Sequence, residues 1–281
     1  MELGRAAILL AIVVSVGLPI AACSRAALDE PGPIEPTVVR CAVIGGMMET
    51  GLWQAVASRF ESATHHTVKV VSQGPKSVVV EAFRRGGVDL ITVHASDAMI
   101  DLVADGLAVD PEPWVRNDLV LVGPDDDPAG VRGGSDALVA VQKIVETNQK
   151  LLVHATQGAD SVLHDLIEPT SFDISRSAVL FTGDNQHQVL AKAAYLHAYT
   201  LVGRIPVLEG KLREPGMAIM LSGDPHLRRP YLVETATHAS PAARQLAEFL
   251  RSKETQNWLA TWSRDKHDGQ PLFFPVAPAG P

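Results

Sequence analysis

Val88-Asp-Leu-Ile-Thr-Val-His-Ala95 and Trp114-Val-Arg-Asn-Asp-Leu-Val-Leu-Val-Gly-Pro-Asp-Asp-Asp-Pro-Ala-Gly130 decide how this chain folds. In the first stretch, Val88–Val93 is a buried-type strand, and Asp97 is placed to cap a helix that Gly106 ends. In the second, Leu119–Val122 is a strand and Asp125-Asp-Asp-Pro128 reads as a solvated turn. Working outward, strands are predicted at Val38–Ile44, Val68–Ser72, Leu151–Val153, Ala178–Phe181 and Met217–Leu221. Helices are predicted over Leu52–Ser62, with Leu52, Val56 and Phe60 on one face, over Asp136–Thr147 behind a Ser135 cap, and over Gln186–His197. Ser240-Pro241 supplies the N-cap and first-turn chemistry for a helix through Leu250. Strands alternating with helices mean an α/β fold with a largely parallel sheet, and this length suits two lobes. The Pro-rich end, Gly269–Pro281, is expected to lie along the surface or fray.

The amino terminus carries an address. Ala6–Gly17 is apolar but short for a bilayer span, and Ile20-Ala-Ala-Cys23 has the small-residue shape of a lipobox. In that reading residues 1–22 are a lipoprotein signal peptide, Cys23 is the acylated first residue, and residues 23–37 form a flexible tether. Only two cysteines occur, so acylation of Cys23 leaves Cys41 without a disulfide partner and the fold depends on its core. The formal net charge of −8 argues against a nucleic-acid partner. It also gives no long-range attraction for anions, so any anion site must act by local hydrogen bonds.

In α/β lobes, ligands meet the carboxyl ends of strands and the N-termini of helices, where backbone N–H groups are unpaired. That singles out four loops, Gly45–Gly51, Gln73–Ser77, His154–Ser161 and Gly183–Gln186. Lys76 is placed to bring positive charge to the second. Of the ten histidines, His154, His164 and His187 are candidates for a zinc site, but no HExxH run occurs. Surface or core positions are the simpler reading, and His94 is read as a cleft-wall or structural residue. Trp53 and Trp114 are read as core or hinge residues. There is no Gly-x-Ser-x-Gly elbow and no Walker loop, so no enzyme activity, cofactor or metal is expected.

Much of residues 38–262 resembles the tungstate-binding proteins of ABC uptake systems, a branch of the type II periplasmic binding proteins. Val88–Ala95, Asn117–Pro124 and Asp127–Gly130 carry most of the likeness. Ala198-Tyr-Thr-Leu201, Gly223-Asp-Pro225, Pro230-Tyr231 and Gln256-Asn-Trp-Leu259 add to it. The resemblance implies two α/β lobes joined by a two-strand hinge, one lobe from residues 38–120 and 230–281 and the other from 121–229. It implies capture of a small polar solute, such as a tungstate- or molybdate-like oxyanion, by lobe closure. The captured solute would be handed to an ABC permease by a monomeric, membrane-anchored extracytoplasmic lipoprotein. The alternative is a degenerate lobe pair serving as a sensor or interaction module.

The ligand loops depart from the family. Its first loop is rich in threonine and serine, whereas Gly45-Gly-Met-Met-Glu-Thr-Gly51 offers one hydroxyl and one acid. The third-loop arginine falls on Ala155, and the Gly-rich fourth loop is Gly183-Asp-Asn-Gln-His187. Each lost charge-assisted hydrogen bond costs roughly 1.5–3 kcal/mol. The remaining ligand candidates are Gly46, Met47, Thr50, Gly74, Thr156, Ser161, Asn185 and Arg204, the last following the Ala-Tyr-Thr-Leu segment.

Overall fold

Val38–Ile44 is buried at nearly every position along its second half, with Val39, Cys41 and Val43 facing one core and Ala42 another. A strand apolar on both faces belongs inside a sheet covered by helices on both sides. In the computed structural model, which describes residues 37–154, 158–183, 185–266 and 269–276, it is β1. The chain divides into a unit spanning Met1–Glu35 and a unit spanning Pro36–Pro281, and all that follows concerns the second.

The first elements are β1 (Val38–Ile44), α1 (Gly45–Glu49), α2 (Leu52–Thr64), β2 (Thr67–Gly74), α3 (Lys76–Arg84), β3 (Leu90–His94), α4 (Asp97–Ala104) and β4 (Ala108–Pro124). Then come α5 (Ala137–Glu146), β5 (Lys150–His154), α6 (Gly158–Ile167), β6 (Ala178–Phe181), α7 (Gln186–Leu196), β7 (Ala198–Gly203), α8 (Arg204–Leu208) and β8 (Met217–Leu221). The chain continues through β9 (Arg228–Ala236), α9 (Pro241–Arg251), α10 (Lys253–Leu259) and β10 (Phe274–Pro275). The strands lie in the order β2-β1-β3-β9-β4-β7-β5-β6, with β8 and β10 also paired to β4. Pairs among β1, β2 and β3, and among β5, β6 and β7, are parallel. Every pairing of β4 and β9 is antiparallel. The α/β expectation holds, but the sheet is mixed instead of largely parallel, because β4 and β9 run antiparallel to every strand they pair with.

β4 is shared between two groups of strands. Ala108–Asp118 pairs with β9, and Leu119–Pro124 pairs with β7 and β8. Two apolar clusters lie against the β1–β3–β9 side, one around Trp53, Phe60, Trp114 and Tyr231, the other around Val79, Phe83, Ile91 and Met99. Two more lie against the β5–β7 side. Trp53 and Trp114 meet edge to face at 6.3 Å, and Trp114 Nε1 donates to Thr92 Oγ1 at 2.8 Å, so both are core residues.

Caps shift by a residue from their expected places. Asp97 lies in the first turn of α4, behind Ser96. Asp136 rather than Ser135 caps α5, accepting from Val139 N, while Ser240 caps α9 as expected. The acidic turn after β4 is tied down by Tyr199, whose hydroxyl donates to Asp127 Oδ1 at 2.8 Å and accepts from Ala129 N at 2.9 Å. Gly123 lets the Tyr199 ring lie on the backbone, since a Cβ there would come within 2.3 Å of it.

The carboxyl end departs from expectation. Leu272 and Phe273 are buried, and Phe274–Pro275 pairs with Arg116 and Val115 of β4. Gln256 Oε1 accepts from Val276 N, and its Nε2 donates to Trp114 O and Leu250 O. Two large apolar side chains between prolines outweigh the tendency of a terminus to fray.

Candidate functional site

The parallel register sets Ile44 opposite Gly74, bringing the first two loops side by side at the ends of β1 and β2. Gly45–Glu49 coils into α1 instead of staying an open loop. Gly46 is partly exposed with free space over its α-carbon. Gly74 has φ of 139°, a conformation open to glycine and strained for other residues.

Other expected ligand groups are committed elsewhere. Met47 is fully buried with its sulfur 4.0 Å from Thr92 Oγ1, a core position, because α1 turns it inward. Thr50 Oγ1 donates to Gly46 O at 2.9 Å. Asn185 caps α7, its side-chain oxygen accepting from His187 N and Gln188 N. Ser161 is on the exposed side of α6. Thr156, Ala155 and the acylation candidate Cys23 lie outside the described residues. Glu49, an unwelcome acid for an anion, has its carboxylate 4.0 Å from Lys211 Nζ. Among the described residues no cluster of three His, Cys, Asp or Glu side chains is arranged for a metal.

Arg204 corrects the sequence reading most clearly. Leu119 pairs with Gly203, so the next residue, Arg204, arises beside Asp118. Its Nε donates to Asp118 Oδ1 at 2.6 Å, and both side chains are almost wholly buried. The same guanidinium donates to Gln270 Oε1 and to Pro271 O. It is a strut between β4, α8 and the carboxyl segment. Burial raises the Asp118 pKa despite the opposing effect of Arg204.

The positive charge of the cleft comes from elsewhere. Arg229 and Tyr231 point to the same side of β9. Tyr231 pairs with His94 of β3, and their rings stack at 4.0 Å. Arg229 donates one terminal NH2 toward His94 Nε2 at 3.4 Å. Its other terminal nitrogen rests on the first residue of α6, where a Cβ on Gly158 would lie 2.5 Å from it. Lys76, at the first position of α3, lies close enough to disfavour the charged form of His94. Burial, reinforced by Arg229, lowers the Lys76 pKa. Burial, then Arg229, then Lys76 hold His94 well below the usual imidazole range. Burial lowers even the Arg229 pKa. Asp97 and Asp118 act on Lys76 and Arg229 only through space, and among the described residues neither cation is in an ion pair.

Such an arrangement is unfavourable by itself. A lysine at the positive end of a helix and a guanidinium at the start of another repel each other, and both disfavour a charge on the imidazole beside them. Among the described residues, Arg229 Nε and His154 Nδ1 are buried without partners, which in a native fold calls for an account. Arg229, His154, Gln186 and Gly203 line a cavity of about 20 Å³, and His154 Nε2 lies 2.7 Å from Gly183 O. The sequence signal for Arg229 is the pair Arg228-Arg229 just before a crossing strand in an acidic chain. Alternation sends Arg228 to the opposite side, over the ring of Phe274 at 4.1 Å, and Arg229 to the cleft.

Comparison with known proteins gives a consistent result. A Haloferax volcanii protein, whose name provisionally assigns it to anion binding in an ABC transporter, is 29% identical over 82% of this chain and 69% of its own length. The tungstate-binding protein TupA of Peptoclostridium acidaminophilum is 27% identical over 96% of this chain and 98% of its own. The solved tungstate-binding protein TupA from Desulfovibrio alaskensis G20 shares the fold, with TM-score 0.66 and 24% identity over 86% of this chain and 99% of that one. The sequence profile described as bacterial extracellular solute-binding protein spans residues 40–262, from β1 to just beyond α10, and the chain therefore belongs to that family.

Proposed function

We propose that this chain is the solute-capturing component of an ABC uptake system and that its solute is a small oxyanion of the tungstate class. The observation that carries the proposal is the contact of Arg229 with His94, with Lys76 close to both and, among the described residues, no carboxylate in an ion pair with either cation. A divalent anion there turns mutual repulsion into charge-assisted hydrogen bonds. Gly46, Gly74 and Gly158 leave backbone accessible beside these side chains, and the names of the relatives point to the same ligand chemistry. Arg229 and Lys76 stand in for the cation that the third loop lacks.

In this reading residues 38–120 with 230–281 form one lobe and 121–229 the other, with β4 and β9 as the hinge. The change of partner along β4 at Asp118 and Leu119 supports that division. The cavity beside Arg229 has room for about one water molecule, so an oxyanion enters by displacement of one lobe from the other. Among the described residues no helix is long and apolar enough to cross a membrane, and attachment falls to acylated Cys23.

Two measurements test this. The unit from Pro36 to Pro281 is expected to melt about 5 °C or more higher with saturating tungstate or molybdate, by linkage of binding to folding. No shift with tungstate, molybdate, sulfate or phosphate would falsify the oxyanion reading. Cys23→Ala is expected to release the expressed protein from the membrane fraction, and unchanged retention would refute the anchor.

A further inference from the structure

We infer that His94 couples anion capture to proton uptake: its imidazole accepts a hydrogen bond from Arg229 in the empty cleft and takes a proton from solvent when a divalent oxyanion arrives. The inference rests on the anion reading above and deepens it. A guanidinium has only donors, so the 3.4 Å contact with Arg229 requires a lone pair on His94 Nε2. That contact fixes the imidazole as neutral in the arrangement described. The groups facing it are Arg229 and Tyr231 from β9, Lys76 from α3 and Asn117 from β4. Asp97 on α4 acts on Lys76, and Asp118 on β4 acts on Arg229, without a hydrogen bond to either.

Protonating His94 in the empty cleft would set an imidazolium against a guanidinium, with an ammonium near both. Two negative charges placed among them remove that opposition. They also draw the Arg229 NH2 away from Nε2, which then gains a proton and donates it in a hydrogen bond to an anion oxygen. One N–H bond forms, the proton comes from water, and no other bond changes. Tyr231, stacked on the ring face, holds the ring edge toward Arg229. The same neighbours keep His94 well below the usual imidazole range in the empty cleft, which leaves room for an upward shift on binding. By linkage, an anion that raises proton affinity is itself bound more tightly as pH falls. Affinity therefore rises as pH drops through the anion-bound pKa and levels off below the lower, empty-cleft pKa.

Titration calorimetry of the Pro36–Pro281 unit tests this with dilute tungstate and, separately, sulfate. Measurements run from about pH 6.5 to about pH 8.5, in paired buffers of different ionisation enthalpy. The expected result is uptake of up to about one proton per anion toward the acid end and a Kd that tightens up to about tenfold per pH unit. His94→Gln is expected to bind with a flat pH profile and no uptake. Binding by the wild-type protein with no proton exchange anywhere in the range overturns the coupling while leaving the anion site standing. Equal uptake by His94→Gln overturns the assignment to His94. Absence of binding heat and of any thermal shift with either anion overturns the anion reading itself. The wild-type proton count decides the coupling even if the variant fails to fold.

Discussion

Arg229→Gln is expected to weaken oxyanion binding by roughly ten- to hundredfold and, at the same time, to raise the melting temperature of the anion-free protein. Charge-assisted hydrogen bonds contribute about 1.5–3 kcal/mol each, and about 1.4 kcal/mol is tenfold in affinity. Glutamine keeps an N–H donor near Gly158 and removes the charge, so the loss reports the charge itself. The gain in stability comes from the empty cleft. There Arg229 faces Lys76 and His94, its Nε has no partner, and burial lowers its pKa. Removing the guanidinium relieves its repulsion of the Lys76 ammonium. Calorimetry with tungstate and thermal unfolding without it read the two effects separately. Unchanged affinity would remove Arg229 from the site, and a lowered melting temperature would show that its packing on Gly158 outweighs the repulsion.

The second large effect belongs to Glu234. It is fully buried on β9, opposite Ile91 of β3. Alternation puts it on the same strand face as Leu232 and Ala236, which pack on the cluster of Val79, Phe83, Ile91 and Met99. Among the described residues neither carboxyl oxygen has a partner, and burial pushes its pKa from 4.5 up to about 8. A carboxyl with a raised folded-state pKa holds a proton that the unfolded chain has lost. Its contribution to stability is complete below about pH 4.5 and drains away as pH rises to about 8. The wild-type protein is therefore expected to lose up to about 5 kcal/mol across that window, from about 1.4 kcal/mol per pKa unit. Glu234→Gln, which stays neutral, should show little of this slope and should be the more stable protein at pH 8. Urea unfolding of both proteins at several pH values measures it, and parallel profiles would show that Glu234 finds a partner or water when ionised.

Much of the scaffold was legible because its signals are local. Val38–Ile44 and Ala178–Phe181 are short apolar runs with clear ends, and Ser240-Pro241 starts a helix by side-chain chemistry alone. The site was harder to read because its charge is set by register between distant segments. Arg204 follows a strand that pairs with β4, and one step of that pairing brings Asp118 to its side chain. Nothing in Ala198–Arg204 indicates this. Arg229 becomes a cleft residue because Tyr231 pairs with His94 and strand alternation carries the arginine to the same side. Met47 offered a soft side chain in a glycine-rich loop, but the turn of α1 buried it. Leu272 and Phe273 carried enough apolar surface to mark a docking segment, and the surrounding prolines obscured it.

The change of partner along β4 has a mechanical consequence. Asp118 pairs with Arg228 of β9, and the very next residue pairs with Gly203 of β7. β9 and β7 lie on opposite edges of β4, and the Arg204–Asp118 contact holds β4 where one group of strands gives way to the other. For the proposed closing motion, any bending of β4 at this point would have to work against a buried ion pair that also ties in the carboxyl segment.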